Sequence, residues 1–197
     1  MAVRTDRTDR TILAPFLIVA GLLGLLASFQ LTLGKLSSLE NPQESLTCDF
    51  SVLVQCSANI ASEAGAVLGF PNPLIGLMTF VAPVAVGAAL LARAEFAGWF
   101  WLTFQTGITA GMVFVTWLQY QSIFVLGTLC PWCMVTWAVI VPLFWAVTLR
   151  NTSAGLFSNR LRPAGDYLGS WIIPLVFAHL LAVALVAQFR LDVLARL

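Results

Sequence analysis

Five apolar runs, at residues 12–33, 73–92, 98–118, 124–149 and 171–189, decide what this chain can become. Each is about the ~20 residues that a helix needs to cross a ~30 Å hydrocarbon core. Inside lipid every backbone N–H and C=O must be satisfied by the protein, as in helices or closed barrels, and continuous apolar runs of this length fit helices. The expected fold is therefore all-α, a polytopic membrane protein, with residues 1–197 forming one domain. Only 10% of the residues are charged, against roughly 25% in a soluble domain. A formal net charge of +1 gives no electrostatic case for a nucleic-acid partner. The first run exceeds the roughly 7–15-residue core of a signal peptide. It also lacks a clean Ala-x-Ala site, so it is expected to stay as a helix.

Lysine and arginine set the orientation. Arg4, Arg7 and Arg10 precede the first run and place the N-terminus in the cytoplasm. The loop 34–72 carries Lys35 against Glu40, Glu44, Asp49 and Glu63 and is expected outside. Arg93 marks an inner turn, and an uncharged turn at 119–122 faces out. Arg150, Arg160 and Arg162 lie inside again, while Arg190 and Arg196 run against the rule at the C-terminus.

With this topology all four cysteines gather on the outer side. Cys48 and Cys56 lie in the loop 34–72, and Cys130 and Cys133 form a Cys-x-x-Cys motif at the start of the fourth run. Counting back ~20 residues from Leu149, at ~1.5 Å each, gives ~30 Å and reaches Cys130. Outside the cytoplasm disulfides persist. Four cysteines allow three pairings; nearness in sequence favours Cys48–Cys56 and Cys130–Cys133. Two passive staples are one reading. A helical bundle in lipid has little need of them, and a Cys-x-x-Cys bridge closes so short a loop that its entropic gain is small. A thiol metal site is another, but the first pair has the spacing C-x7-C and no histidine nearby. A redox-active relay is the third.

Local chemistry favours the relay. Pro131 suits the first helical position and puts Cys130 at the N-cap. There the free N–H groups and the positive helix end stabilise a thiolate. Cys133 lies one turn further along the same face, and Trp137 follows it at i+4. A thiol below an aromatic plane can hold a flat ring; Trp137 alone also reads as an ordinary core aromatic. Asn72, before Pro73, reads as a helix cap or as an amide donor to a ring carbonyl. A lipid-soluble two-electron acceptor such as a quinone fits this arrangement. A soluble dithiol protein could reach Cys48 and Cys56, with each transfer passing through a mixed disulfide.

The segments CDFSVLVQCS (48–57), NPLIG (72–76) and CPWC (130–133) together resemble the vitamin K epoxide reductase family in its bacterial form. That resemblance implies a four-helix bundle around a quinone site, with a fifth transmembrane helix, in the bacterial inner membrane. It implies that Cys48 meets a thioredoxin-fold partner and that Cys56 shuttles to Cys130. Cys133 then stands beside the quinone, menaquinone or ubiquinone, and Asn72 hydrogen-bonds a quinone oxygen. Ser57 matches a family serine near the lid over the pocket. Trp137 stands where many relatives have tyrosine, which leaves Asn72 the surer polar contact. The chain ends soon after the fifth run, so the partner, similar to DsbA, is expected to be a separate protein.

Three further expectations concern packing. Residues 57–70 suit a short helix lying over the bundle, which would bring Cys56 onto Cys130. Gly107 and Gly111 form G-x-x-x-G in the third run, a pattern of close helix packing. His179 is expected to be a packed or interfacial residue rather than a ligand.

Overall fold

The computed structural model describes residues 9–41 and 46–196, so Arg4, Arg7, Glu44 and the final residue lie outside the described part. Among the described residues, five helical spans are long and apolar enough to cross a membrane. The first runs Arg10–Glu40, a π-turn leading into α1 (Ala14–Glu40). It ends seven residues beyond the hydropathy boundary at 33, because a polar extension of a helix costs nothing outside lipid. The short helix α2 (Ser57–Ala61) follows the loop. The second span, Pro73–Leu91, is broken into α3 (Pro73–Thr79) and α4 (Val81–Leu91). Pro83 explains the break: it offers no N–H to the Thr79 carbonyl, and its ring crowds that group.

The third span, Gly98–Leu126, joins α5 (Gly98–Tyr120) to a π-turn over Gln121–Leu126. The expected turn at 119–122 is therefore helical, and residues 124–126 close the third span instead of opening the fourth. The true break is Gly127, at φ +68°, a left-handed conformation that glycine adopts without steric penalty. The fourth span is α6 (Pro131–Ser153). Beyond it, α7 (Arg162–Gly169) packs on α6, α8 (Ile172–Leu191) forms the fifth span, and α9 (Val193–Arg196) ends the described chain.

Helix α1 is the axis of the bundle and touches α3, α4 and α6; α5 and α8 pack on α6. Buried positions fall from 44% of the first span to 6% of the fifth, so α8 is a peripheral helix facing lipid. One polar contact ties it inward: Trp145 Nε1 donates to His179 Nδ1 at 3.4 Å.

The tightest packing is between α1 and the second span. A Cβ on Gly21 would lie 2.6 Å from Val84 Cγ2, and one on Gly87 would lie 2.6 Å from the Ala14 carbonyl oxygen. Gly24 faces the Phe80 ring just as closely. Here small residues let the backbones approach. The G-x-x-x-G pair does something else: a Cβ on Gly107 would meet nothing within 4 Å, and one on Gly111 only Ile140 Cδ1 at 3.4 Å. Both glycines line a cavity instead of a helix contact.

At the end away from the cysteines a buried polar network locks α5 to α6. Asn151 Nδ2 donates to the Trp101 carbonyl at 3.3 Å and to Gln105 Oε1 at 3.2 Å. Gln105 Nε2 donates to Thr148 Oγ1 at 2.9 Å. The Arg150 guanidinium lies 3.6 Å over the Trp101 ring, a cation–π contact that offsets part of its desolvation.

Candidate redox site

The loop before α2 is shaped around one carboxylate. Asp49 Oδ1 accepts from the N–H groups of Cys56 at 2.7 Å and Ser57 at 3.1 Å; Oδ2 accepts from the Leu46 N–H at 3.1 Å. The Ser57 hydroxyl donates to Oδ2 as well. Burial works against the Asp49 charge, but these hydrogen bonds prevail and hold its carboxyl below the usual range. Asp49 caps α2 from outside and brings the chain back on itself. That fold joins Cys48 and Cys56 in a disulfide, with Cα atoms 5.7 Å apart.

The second pair sits where Pro131 starts α6. Cys130 is the N-cap, and its Sγ accepts from the Cys133 N–H at 3.4 Å. Both Cys130 and Cys133 are free thiols. The Cys130 thiol is held below its ordinary pKa, first by its hydrogen bond with the Cys133 thiol. Burial opposes this, backbone N–H groups of Cys133 and Trp132 add to it, and the Asp49 charge weakly opposes it. The two pairs meet: Cys130 Sγ lies 3.6 Å from Cys56 Sγ, and both residues are fully buried. They pack with Leu31, Leu46, Cys48 and Ile60 in one apolar cluster. The lid over residues 57–70 thus brings Cys56 onto Cys130 as the sequence suggests. A backbone bridge, Val54 to Leu129, holds the loop against the start of the fourth span.

Cys133 opens the other way, into a cavity of about 1060 Å³ walled by α1, α3, α4, α5 and α6 and roofed by the α2 segment. The cavity exists because α4 and α5 barely touch among the described residues. Its walls are overwhelmingly apolar, with Phe80, Phe100, Phe104 and Phe114 among them. Trp137, buried, lines it one turn below Cys133.

Asn72 lines the cavity too, at the N-cap of α3. Its side chain does not cap that helix. It turns back to the lid, where Nδ2 donates to the Ala64 carbonyl at 2.6 Å and Oδ1 accepts from the Val67 N–H at 3.1 Å. Ser57 is not among the lining residues; its hydroxyl is engaged with Asp49. Asn59, two residues on, lines the cavity and donates to Thr128 Oγ1 at 3.1 Å. Sequence reasoning overlooked Asn59 and Lys35, whose Nζ donates to the Ile60 carbonyl at 3.1 Å. Their only signal in the sequence is polarity, Asn59 near the start of the segment expected to lie over the bundle and Lys35 just past the first apolar run.

Cys48, Asp49 and Cys56 bring three potential metal-ligand atoms within 4.8 Å of one another. Two of these are sulfurs already spent on the disulfide, so they offer no thiolates. The cavity fits a quinone by its chemistry: it is apolar enough for a ring and a hydrocarbon tail, and it has the size of a ligand site. A thiol opens into it, and one N–H of the Asn72 amide is uncommitted among the described residues.

The model of the Vitamin K epoxide reductase family matches residues 15–148, well over half of the chain. The chain belongs to that family, and is thereby a membrane oxidoreductase of the thiol–disulfide type. A comparison with curated proteins found no match.

Proposed function

We propose that this family member is a thiol oxidase that carries electrons from a soluble thioredoxin-fold protein, similar to DsbA, to a quinone, menaquinone or ubiquinone. In the proposed setting it lies in a bacterial inner membrane with its N-terminus in the cytoplasm and its cysteines outside. The observation that carries the reading is the 3.6 Å approach of Cys56 to Cys130, beside a cavity into which Cys133 opens.

The partner's dithiol reduces the Cys48–Cys56 disulfide by attack at Cys48, leaving the partner oxidised. Cys56 thiolate then attacks the Cys130 sulfur of a Cys130–Cys133 disulfide and expels Cys133 as thiolate. Cys48 attacks Cys56 in turn, which closes Cys48–Cys56 and frees Cys130. Each exchange breaks one S–S bond and makes one. A closed loop pair over two free thiols is the arrangement such an exchange leaves behind. Trp137 and Asn72, which line the cavity, would hold a quinone, which would supply a two-electron, two-proton sink; the Cys130–Cys133 dithiol closes as a disulfide. Ser57 acts here through Asp49, by fixing the loop that carries Cys56.

The orientation draws support from the spread of basic residues. Arg10, Arg93 and Arg150 fall at the ends of spans away from the cysteines, whereas Lys35 and Arg190 fall at the cysteine end. The test mixes purified protein, a reduced thioredoxin-fold protein and a quinone, and follows quinone absorbance. Turnover is expected to vanish in Cys130→Ala and in Cys133→Ala; full turnover without either thiol overturns the reading.

A further inference from the structure

The relay leaves one ionisable group at the cavity without a role. Lys35 is the chain's one lysine and, among the described residues, the sole charged side chain lining the cavity. It lies one turn beyond Leu31, which packs against the sulfur cluster. A lysine at the rim of a membrane helix ordinarily extends its ammonium into water. Here Nζ donates to the Ile60 carbonyl at 3.1 Å. The Ile60 N–H donates in turn to the Cys56 carbonyl at 2.9 Å. Two hydrogen bonds therefore run from α1, through the single residue Ile60, to the residue whose sulfur faces Cys130.

A helix of five residues, such as α2, cannot hold itself together in isolation. Its place depends on what grips it. Asp49 grips the N-terminal end, and Asn59 ties the middle to Thr128. The last carbonyls of a helix have no partner within it, and Lys35 supplies one from another span. Asn72 holds the segment that follows, at Ala64.

We propose that Lys35 is a positioning residue that latches α2 over the cavity. It sets the approach of Cys56 to Cys130 and keeps the roof closed above Cys133. The effect on turnover rests on the relay proposed above; the latch itself does not.

The experiment compares wild type, Lys35→Met and Lys35→Arg in membranes, with Cys48–Cys56 verified as oxidised in each. The first readout is the rate at which N-ethylmaleimide labels Cys133, read by peptide mass. Loss of one net hydrogen bond corresponds to about tenfold faster labelling in Lys35→Met, with Lys35→Arg close to wild type. The second readout is quinone reduction with a reduced thioredoxin-fold protein: in Lys35→Met the KM for quinone rises by a larger factor than kcat falls. Equal labelling of wild type and Lys35→Met overturns the latch, as does a Lys35→Arg protein that labels as fast as Lys35→Met. Lys35→Gln, uncharged and shorter, carries the same expectation if Lys35→Met does not insert. If wild type itself fails to reduce quinone, the relay falls, while the labelling arm still decides the latch.

Discussion

Asp49→Asn tests the carboxylate clamp on the disulfide loop with little change of shape. An amide keeps Oδ1 as acceptor for the Cys56 and Ser57 N–H groups, now without the full charge. On the Oδ2 side it turns an NH2 toward the Leu46 N–H, so that contact becomes a clash of donors; the Ser57 hydroxyl can rotate to accept. A hydrogen bond to a charged group is worth about 1.5–3 kcal/mol net. Because the Asp49 side chain is only half-buried, solvent screens part of this, and about 2 kcal/mol is the expected loss. At 1.4 kcal/mol per factor of ten, the loop then opens about 30-fold more often. Amide hydrogen exchange in a peptide covering residues 46–61 reads such local opening. Protection also depends on pH with a defined sign. The folded carboxyl has a lowered pKa, so its contribution is complete above the unfolded value of about 3.9. It is lost as pH falls through the folded value. Wild type should lose protection in acid, relative to the intrinsic exchange rate, and Asp49→Asn should show no such step. Exchange within twofold of wild type at pH 7, or the same acid step in the variant, refutes the clamp.

Three other outcomes are expected. Gly87→Leu forces a side chain against the Ala14 carbonyl and should cost about 3 kcal/mol. Gly107→Leu meets open space, so it should leave thermal unfolding in detergent within about 1 kcal/mol while raising the quinone KM more than tenfold; equal destabilisation by both contradicts the packing described. A protein with Cys48→Ser and Cys133→Ser should form a Cys56–Cys130 disulfide in high yield under mild oxidation, seen by non-reducing peptide mapping; its absence contradicts the 3.6 Å approach. Asn151→Leu should lower detergent stability by about 1–2 kcal/mol, and a neutral result means that the α5–α6 polar network carries no net stability.

Much of the fold is legible in the sequence because hydropathy alone forces helices in lipid, and Pro131 alone marks Cys130 as a helix start. The boundary between the third and fourth spans is not. Residues 123–126 and 129 are as apolar as the helices they separate, so no drop in hydropathy marks the turn; the backbone of Gly127 does. G-x-x-x-G misled for a related reason. Small residues permit close approach, but spacing within one helix does not say whether another helix stands opposite. Gly21, Gly24 and Gly87 meet backbone or a ring, whereas Gly107 faces a void. Asn72 follows the same logic: its type and the following proline indicate a cap, but its own helical backbone (φ −56°, ψ −32°) and the nearby lid carbonyl give its amide another partner. What the sequence hides is which partner lies across a gap, since that depends on tertiary approach.

The two halves of the bundle divide the work through this difference in packing. Glycines draw the second span onto α1 at near-contact distance, and polar bonds lock α5 to α6. Both spans are thereby committed to opposite sides, and the space between α4 and α5 stays unfilled. An apolar cavity of this volume in water would collapse or flood. In a bilayer it would border hydrocarbon rather than water, so keeping it open costs less. The cavity needs a roof only where it faces the sulfurs, and there the structure places its polar bonds: Asp49 to Cys56, Asn59 to Thr128, Lys35 to Ile60 and Asn72 to Ala64. Loosening any of these should act first on the access to Cys133 and on the Cys56–Cys130 approach, and only secondarily on the stability of the bundle. A set of roof variants whose thermal stability falls in step with thiol access would contradict that separation.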